Sequence, residues 1–325
     1  MDFLQIALGL GLAIVGANLL ISGGVSVAKR FDIPDLVIGS TIVAMGTSMP
    51  ELSVNIQSAL VGNTDLALGN VIGSNIFNIC VIIGVVAMLT PLAIPANAAS
   101  KDFPMCLIAA IVVGVAGNEL YFDSINYNEI MVSHGIIFLA FFYIFAHYTY
   151  EEAVEAHTGA RPAPPTEELS GEIMPVWKAG LYILLGLAGL VYGGDFIVEG
   201  ATGVAKSFGL SDRVIGLMIV GPGTSLPELI AGIVAALNRQ VGMVIGNVLG
   251  SNIINIFFTL GITSLIMPVP LDLELNKSII FNIAATALLV AFVWLGRARR
   301  PIGRPFGAIL LLGYAAYIAS SLGVF

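Results

Sequence analysis

Gly46-Thr47-Ser48-Met49-Pro50-Glu51-Leu52 returns later in the chain as Gly223-Thr224-Ser225-Leu226-Pro227-Glu228-Leu229. A second shared block follows each copy, GNVIGSNIFNI at 69–79 and GNVLGSNIINI at 246–256. Thr47 pairs with Thr224 and Asn78 with Asn255, a constant offset of 177 residues. The match extends upstream, where Asp35-Leu36-Val37-Ile38-Gly39 pairs with Asp212-Arg213-Val214-Ile215-Gly216. The chain is therefore a tandem duplication, and the duplicated element carries a glutamate.

That glutamate lies in a very apolar setting. Of the 325 residues 57% are hydrophobic and 10% are charged, with a mean hydropathy of +0.96. Soluble domains run at about 45–50% apolar and about 25% charged. The composition excludes a soluble enzyme, a disordered chain and a secreted disulfide scaffold, and leaves a polytopic all-α membrane protein. The net charge is −8 and Lys plus Arg total 13 without forming a basic patch, so nucleic acid is no expected partner. The lipid bilayer is. No obligatory protein partner is implied. Cys80 and Cys106 sit in or beside apolar stretches, and His134, His147 and His157 are scattered; neither set suggests a metal site.

A helix needs about 20 apolar residues to cross the hydrocarbon. Suitable stretches lie at 3–28, 33–61, 65–90, 104–120 and 127–148, then at 175–205, 212–237, 242–267, 277–296 and 304–323. The first has no basic segment before it and is followed by Lys29 and Arg30, so it reads as a retained span. The expectation is ten transmembrane helices in two five-helix repeats, 1–150 and 175–325, joined by the segment 151–174. That segment carries Glu151, Glu152, Glu155, Glu167, Glu168 and Glu172 around Arg161-Pro162-Ala163-Pro164-Pro165, the composition of a solvated acidic linker.

Sorting the basic residues by loop orients the chain. With the N-terminus outside, the inner segments hold Lys29, Arg30, Lys101, Arg161, Lys178, Arg239, Arg297, Arg299, Arg300 and Arg304, and the outer ones only Lys206, Arg213 and Lys277. The positive-inside rule then places both termini outside and the linker in the cytoplasm. A five-span repeat has an odd span count, so the second copy enters from the opposite side. Inverted repeats of this kind place substrate near the midplane between the copies and offer a route to alternating access.

The polar residues of the spans say what the substrate is. Glu51 and Glu228 lie deep in their spans, where a carboxylate costs about 2.5–3.5 kcal/mol on insertion scales. The same expensive residue stands twice among the same neighbours, Thr47, Ser48 and Pro50 and then Thr224, Ser225 and Pro227. Each proline removes a backbone donor and breaks the helical ladder. Carbonyls such as those of Ala44 and Gly221 are then expected to be freed, which membranes tolerate only inside protein or along a cavity. Ser74 and Asn78, and Ser251 and Asn255, are i, i+4 pairs on one helix face. Asn75 and Asn252 turn roughly 100° away from those faces. Hydroxyl, carbonyl and carboxylate oxygens together suit a hard cation, Ca2+ or Na+, rather than zinc or copper. Two glutamates carry −2, which balances one Ca2+, and Na+ competing for the same carboxylates is enough to couple opposite fluxes.

GTSMPEL with GNVIGSN, and GTSLPEL with GNVLGSN, resemble the two alpha-repeats of the sodium/calcium exchanger family, part of the cation/Ca2+ exchanger superfamily, and the short linker resembles its prokaryotic members. The resemblance implies an integral protein of the prokaryotic inner membrane that exchanges Ca2+ for Na+ and uses no cofactor. It makes Glu51 and Glu228 the central Ca2+ ligands, with backbone oxygens from Thr47 and Thr224. It assigns Ser48, Ser74, Ser225 and Ser251 to flanking Na+ sites, Asn78 and Asn255 to the centre, and carbonyls to Ala44 and Gly221. It implies that the first span of each half slides across the rest, with Gly23-Gly24 and Gly193-Gly194 as the sliding surface. The chain departs from the family in having Asn at both central positions where some members have Asp, which argues against K+ transport. It also has Gly221-Pro222-Gly223 where the first copy has Ala44-Met45-Gly46.

The rival readings are a proton-coupled exchanger or one for Mn2+ or Mg2+, since both glutamates can carry a proton. A channel would need a continuous pore, and an intramembrane hydrolase would need a Ser/His or paired-Asp arrangement that the repeats lack. The chain is accordingly not expected to be an enzyme.

Overall fold

The computed structural model describes residues 2–62, 64–118, 128–159, 173–209, 219, 221–271, 273–296 and 300–322. The described residues fold as helices α1 (Asp2–Phe31), α2 (Asp35–Thr47), α3 (Met49–Leu60), α4 (Leu66–Leu89), α5 (Ala98–Ala116), α6 (Val132–His157), α7 (Val176–Ser207), α8 (Leu226–Leu237), α9 (Val241–Ile266), α10 (Leu273–Leu295) and α11 (Arg304–Ser321). Two-residue strands, Glu129–Ile130 and Val269–Pro270, pair antiparallel.

Among the described residues seven helices, rather than the expected ten, are long and apolar enough to cross a membrane: α1, α4, α5, α6, α7, α9 and α10. The difference has local causes. The expected span 33–61 is broken at Ser48 (φ −85°, ψ 6°) into α2 and α3. The expected span 212–237 is broken at Ser225 (φ −91°, ψ 6°), ahead of α8, and its first part, 212–218, lies outside the described residues. The helix α11 is 18 residues long and opens on the charged Arg304. The linker also starts later than expected. Glu151 to His157 continue α6 as helix, Glu152 is buried and accepts a hydrogen bond from Asn97, and residues 160–172 lie outside the described set.

The helices α4 and α9, which carry the GNVxGSN blocks, form the centre; 78% and 89% of their apolar windows are buried, against 33% for α1 and 28% for α7. Both central helices widen into π-helical turns just past the repeat, at Asn78–Ile82 and Ile254–Leu260. Such turns unsettle the regular ladder and recur at functional sites. Gly246 and Gly250 let α9 meet the α2 backbone: a methyl on Gly250 would lie 2.7 Å from Ser40 Cα. Their counterparts Gly69 and Gly73 have no such close neighbour among the described residues.

Outside this centre α1 and α7 pack along each other in opposite directions. Gly9, Gly16 and Gly23 recur every seven residues on α1, and Gly186, Gly193 and Gly200 recur likewise on α7. A methyl on Gly16 would lie 2.7 Å from Leu190 N, one on Gly193 2.7 Å from Ala13 N, and one on Gly200 2.6 Å from Asp2 O. Apolar side chains cannot drive helices together in lipid, where tails are equally apolar, so close backbone packing of small residues does it instead. The expected sliding surface is corrected accordingly. Gly23 and Gly193 hold α1 and α7 to each other, whereas Gly24 faces Ile38 and Met243 and Gly194 faces Pro227 and Leu226.

The substitution Gly16→Leu should therefore force the two helices apart and cost at least about 1–3 kcal/mol, the usual penalty of overpacking. Gly11→Leu, at a position with nothing within 4 Å, should be neutral. Thermal unfolding of both variants in detergent checks the pair.

Candidate ion-binding site

The two helix breaks build the site. Pro50 and Pro227 stand in the first turns of α3 and α8, where a missing N–H is harmless to the helix that follows. The same prolines deprive the carbonyls of Gly46 and Gly223 of their i+4 donors. This differs from expectation, because the Ala44 carbonyl still accepts the Ser48 amide at 3.0 Å. In the second copy the Ser225 amide donates to Pro222 O at 3.1 Å instead, a tighter turn, and Gly221 is exposed while Ala44 is buried. The two copies thus differ where their sequences differ. Glu51 and Glu228 lie in the first turns of the new helices, whose N-terminal dipole ends favour negative charge.

Both glutamates are fully buried, at 0% exposure, and each is held from the other copy. Ser48 Oγ donates to Glu228 Oε1 at 3.2 Å, and Ser225 Oγ donates to Glu51 Oε1 at 3.2 Å. Ser74 Oγ, from α4, also donates to Glu51 Oε1 at 3.3 Å and lies 3.4 Å from Thr224 Oγ1. The reciprocity continues outward. Thr47 Oγ1 donates to Asn247 Oδ1 and Thr224 Oγ1 to Asn70 Oδ1, both at 3.2 Å.

Where α4 and α9 meet, the asparagines interlock. Asn75 Nδ2 donates to the Asn252 carbonyl at 3.1 Å and Asn252 Nδ2 to the Asn75 carbonyl at 3.3 Å. Asn78 Nδ2 donates to Asn252 Oδ1 at 2.9 Å and Asn255 Nδ2 to Asn75 Oδ1 at 3.1 Å. Asn75 and Asn252, which sequence geometry turns away, are in fact what orients Asn78 and Asn255. With their amide nitrogens engaged, those two present their oxygens.

The leftover atoms define the chemistry. Glu51 Oε2, Glu228 Oε2, Asn78 Oδ1, Asn255 Oδ1 and Ser251 Oγ are buried and have no hydrogen-bond partner among the described residues. Buried polar atoms without partners are uncommon and call for an explanation. Four of these five are pure acceptors, matched in pairs across the copies, and two belong to carboxylates. An all-oxygen, acceptor-rich set with two negative charges fits a hard cation. Among the described residues no group of three or more His, Cys, Asp and Glu side chains could hold a metal ion. Away from the site, Glu199 accepts from Gln5 Nε2 at 3.4 Å and is exposed; its acidic neighbour Asp195 is exposed too.

Among the candidate residues, direct hydrogen bonds join Glu51 with Ser74, Ser225 and, through Ser74, Thr224, and join Glu228 with Ser48. Asn78, Asn255 and Ser251 supply unpartnered oxygens, and Thr47 braces Asn247. Gly221 stands apart on an exposed turn. Sequence reasoning missed Asn70, Asn247 and Asn55. The first two are identical in the repeated GN dipeptide, a signal that was available.

A family model described as sodium/calcium exchanger protein matches residues 1–150 and 178–323. The chain belongs to the sodium/calcium exchanger family. A chain of Alkalimonas amylolytica named CaxA is 35% identical over 321 residues, 96% of each chain. The sodium/calcium exchanger MaX1 of Methanosarcina acetivorans is 29% identical over 356 residues, 98% of this chain and 97% of its own. Among solved structures, the sodium-calcium exchanger NCX_Mj, soaked with 2.5 mM Na+ and 0.1 mM Ca2+, superposes with a TM-score of 0.81 at 30% identity over 98% of both chains. The family read from the repeats, and its prokaryotic type read from the short linker, are shown by these relatives.

The asparagine clamp gives a measurable coupling. Asn75→Ala and Asn252→Ala should each cost about 1–3 kcal/mol by leaving the other side unpaired. The double variant should lose less than the sum. Additive losses in thermal unfolding would show that the four bonds are not a unit.

Proposed function

We propose that this exchanger-family protein is a secondary antiporter that exchanges Ca2+ for Na+ by alternating access, with the ions held at the membrane midplane between two inverted five-helix repeats. The observation that carries the reading is the pair of fully buried glutamates, each with one unpartnered carboxylate oxygen, held by serines of opposite copies. Glu51, Glu228, Asn78 and Asn255 ligate the divalent ion, with backbone oxygen from Thr47 and Thr224. Ser48, Ser74, Ser225 and Ser251 take part in Na+ sites, and the buried Ala44 carbonyl, which keeps a second lone pair beside the Ser48 amide, offers a further oxygen.

Coupling follows from charge. Two carboxylates in a poorly solvated interior repel each other and lack hydration. A loaded site offsets both effects, so the halves rearrange with ions bound and resist rearranging with bare charges. Either one Ca2+ or several Na+ can provide that neutralisation. The antiparallel course of α1 and α7, whose glycines match at the same 177-residue offset, supports the inverted relation of repeats 1–150 and 175–325 and hence ten spans. The charge distribution supports termini outside and the segment between α6 and α7 in the cytoplasm, and the prokaryotic relatives support a prokaryotic inner membrane.

The test is flux in reconstituted vesicles loaded with Na+ and diluted into Na+-free buffer with labelled Ca2+. Uptake should require the Na+ gradient, and a pH gradient without Na+ should not replace it. Proton-driven uptake, or uptake of Mn2+ or Mg2+ with none of Ca2+, would overturn the ion assignment. Glu51→Gln and Glu228→Gln should each abolish uptake while the protein stays folded. Ca2+ should also raise the unfolding temperature of the wild type and leave that of either variant unmoved; a wild-type rate in either variant would sink the site.

A further inference from the structure

One feature of the site breaks the symmetry of the copies. Beyond Asn70, among the described residues, the hydrogen bonds run on through one half only. Asn70 Nδ2 donates to Asn55 Oδ1 at 2.8 Å, Asn55 Nδ2 to Thr263 Oγ1 at 3.4 Å, and Thr263 Oγ1 to the Thr259 carbonyl at 2.7 Å. Asn55, Thr259 and Thr263 are all fully buried, and the Thr259 hydroxyl has no partner among the described residues. At the 177-residue offset the corresponding residues are Gly232, Ile82 and Val86. There the same helix contact is apolar: a methyl on Gly232 would lie 3.2 Å from Ile82 Cγ2 and 3.8 Å from Val86 Cγ2. One half carries an amide and two hydroxyls where the other is sealed with hydrocarbon.

We propose that Asn55, Thr259 and Thr263 form a neutral-oxygen subsite for a monovalent cation, Na+ under the exchange reading on which this rests, on one side of the glutamate pair. An amide oxygen and a hydroxyl oxygen each have two lone pairs. Asn55 Oδ1 and Thr263 Oγ1 each spend one, and Thr259 Oγ1 spends none, so all three retain acceptor capacity. Thr259 lies in the π-helical turn Ile254–Leu260. Without a carboxylate the subsite does not compensate a divalent charge, so it selects for the monovalent ion. Such an ion also binds weakly enough to leave, as transit requires. Asn55 is one turn past Glu51 toward the Leu60 end of α3, the outer side in the proposed orientation. The subsite thus serves Na+ passing between the glutamates and that face, and the apolar counterpart gives the opposite face no equivalent.

The near-isosteric variants Thr263→Val and Thr259→Val test this in the vesicle assay. The half-saturating Na+ concentration should rise about three- to tenfold, the loss of one ligand or hydrogen bond. The half-saturating Ca2+ concentration should stay within about twofold. An unchanged Na+ dependence in both variants overturns the subsite. Equal shifts for both ions overturn it as well, because they assign the threonines to packing alone. If wild-type vesicles show no Na+-driven uptake, the exchange reading fails and the subsite is decided separately. Thermal unfolding in NaCl against choline chloride is then compared. Na+-specific stabilisation that both variants reduce supports the subsite, and equal stabilisation in all three proteins overturns it.

Discussion

Two carboxylates buried where water cannot reach them set the terms for the rest of the molecule. Each needs donors, and each takes one from the opposite copy, Ser225 to Glu51 and Ser48 to Glu228. This exchange ties the repeats together at the break in each copy's own helix. The break supplies the N-terminal helix end that favours the carboxylate, and the proline that causes it lies where the next helix tolerates it. The helices α4 and α9 are then required to be nearly all buried, since they close the site and orient Asn78 and Asn255 through Asn75 and Asn252.

The packing around the site divides the same way. At the centre, where a fixed geometry is needed, polar side chains interlock across the copies. At the periphery, α1 and α7 meet backbone to backbone through glycines seven residues apart. Gly46 and Gly223 link the two regions. A methyl on Gly46 would overlap Leu187, and one on Gly223 would lie 2.6 Å from Val198 Cγ2, both on α7. The helix breaks therefore sit directly against α7.

Much of this was legible in the chain before any coordinates. Glu51, Glu228, Ser48 and Ser225 announce themselves because a costly residue recurs with its neighbours at a fixed offset, and each break is legible from its proline. The count of continuous spans was less legible, since hydropathy sums over a stretch and does not register that Ser48 or Ser225 interrupts it. The direction of Asn75 and Asn252 was misjudged for a related reason. A 100° turn per residue describes a lone helix, whereas these side chains answer to a second helix crossing at that level. Asn55 carried no signal, because its counterpart is Gly232 and no repeat marks it.

The sequence alone determined the membrane class, the duplication, the paired glutamates and the breaks beside them, because these follow from composition, local backbone chemistry and identity at one offset. Only the tertiary structure decided which donors serve which carboxylate, which oxygens are left over, and that Gly23 and Gly193 bind α1 to α7 rather than to the body. Those are contacts between residues far apart in the chain, such as Ser225 with Glu51. No local rule reaches them, because they depend on how whole helices cross.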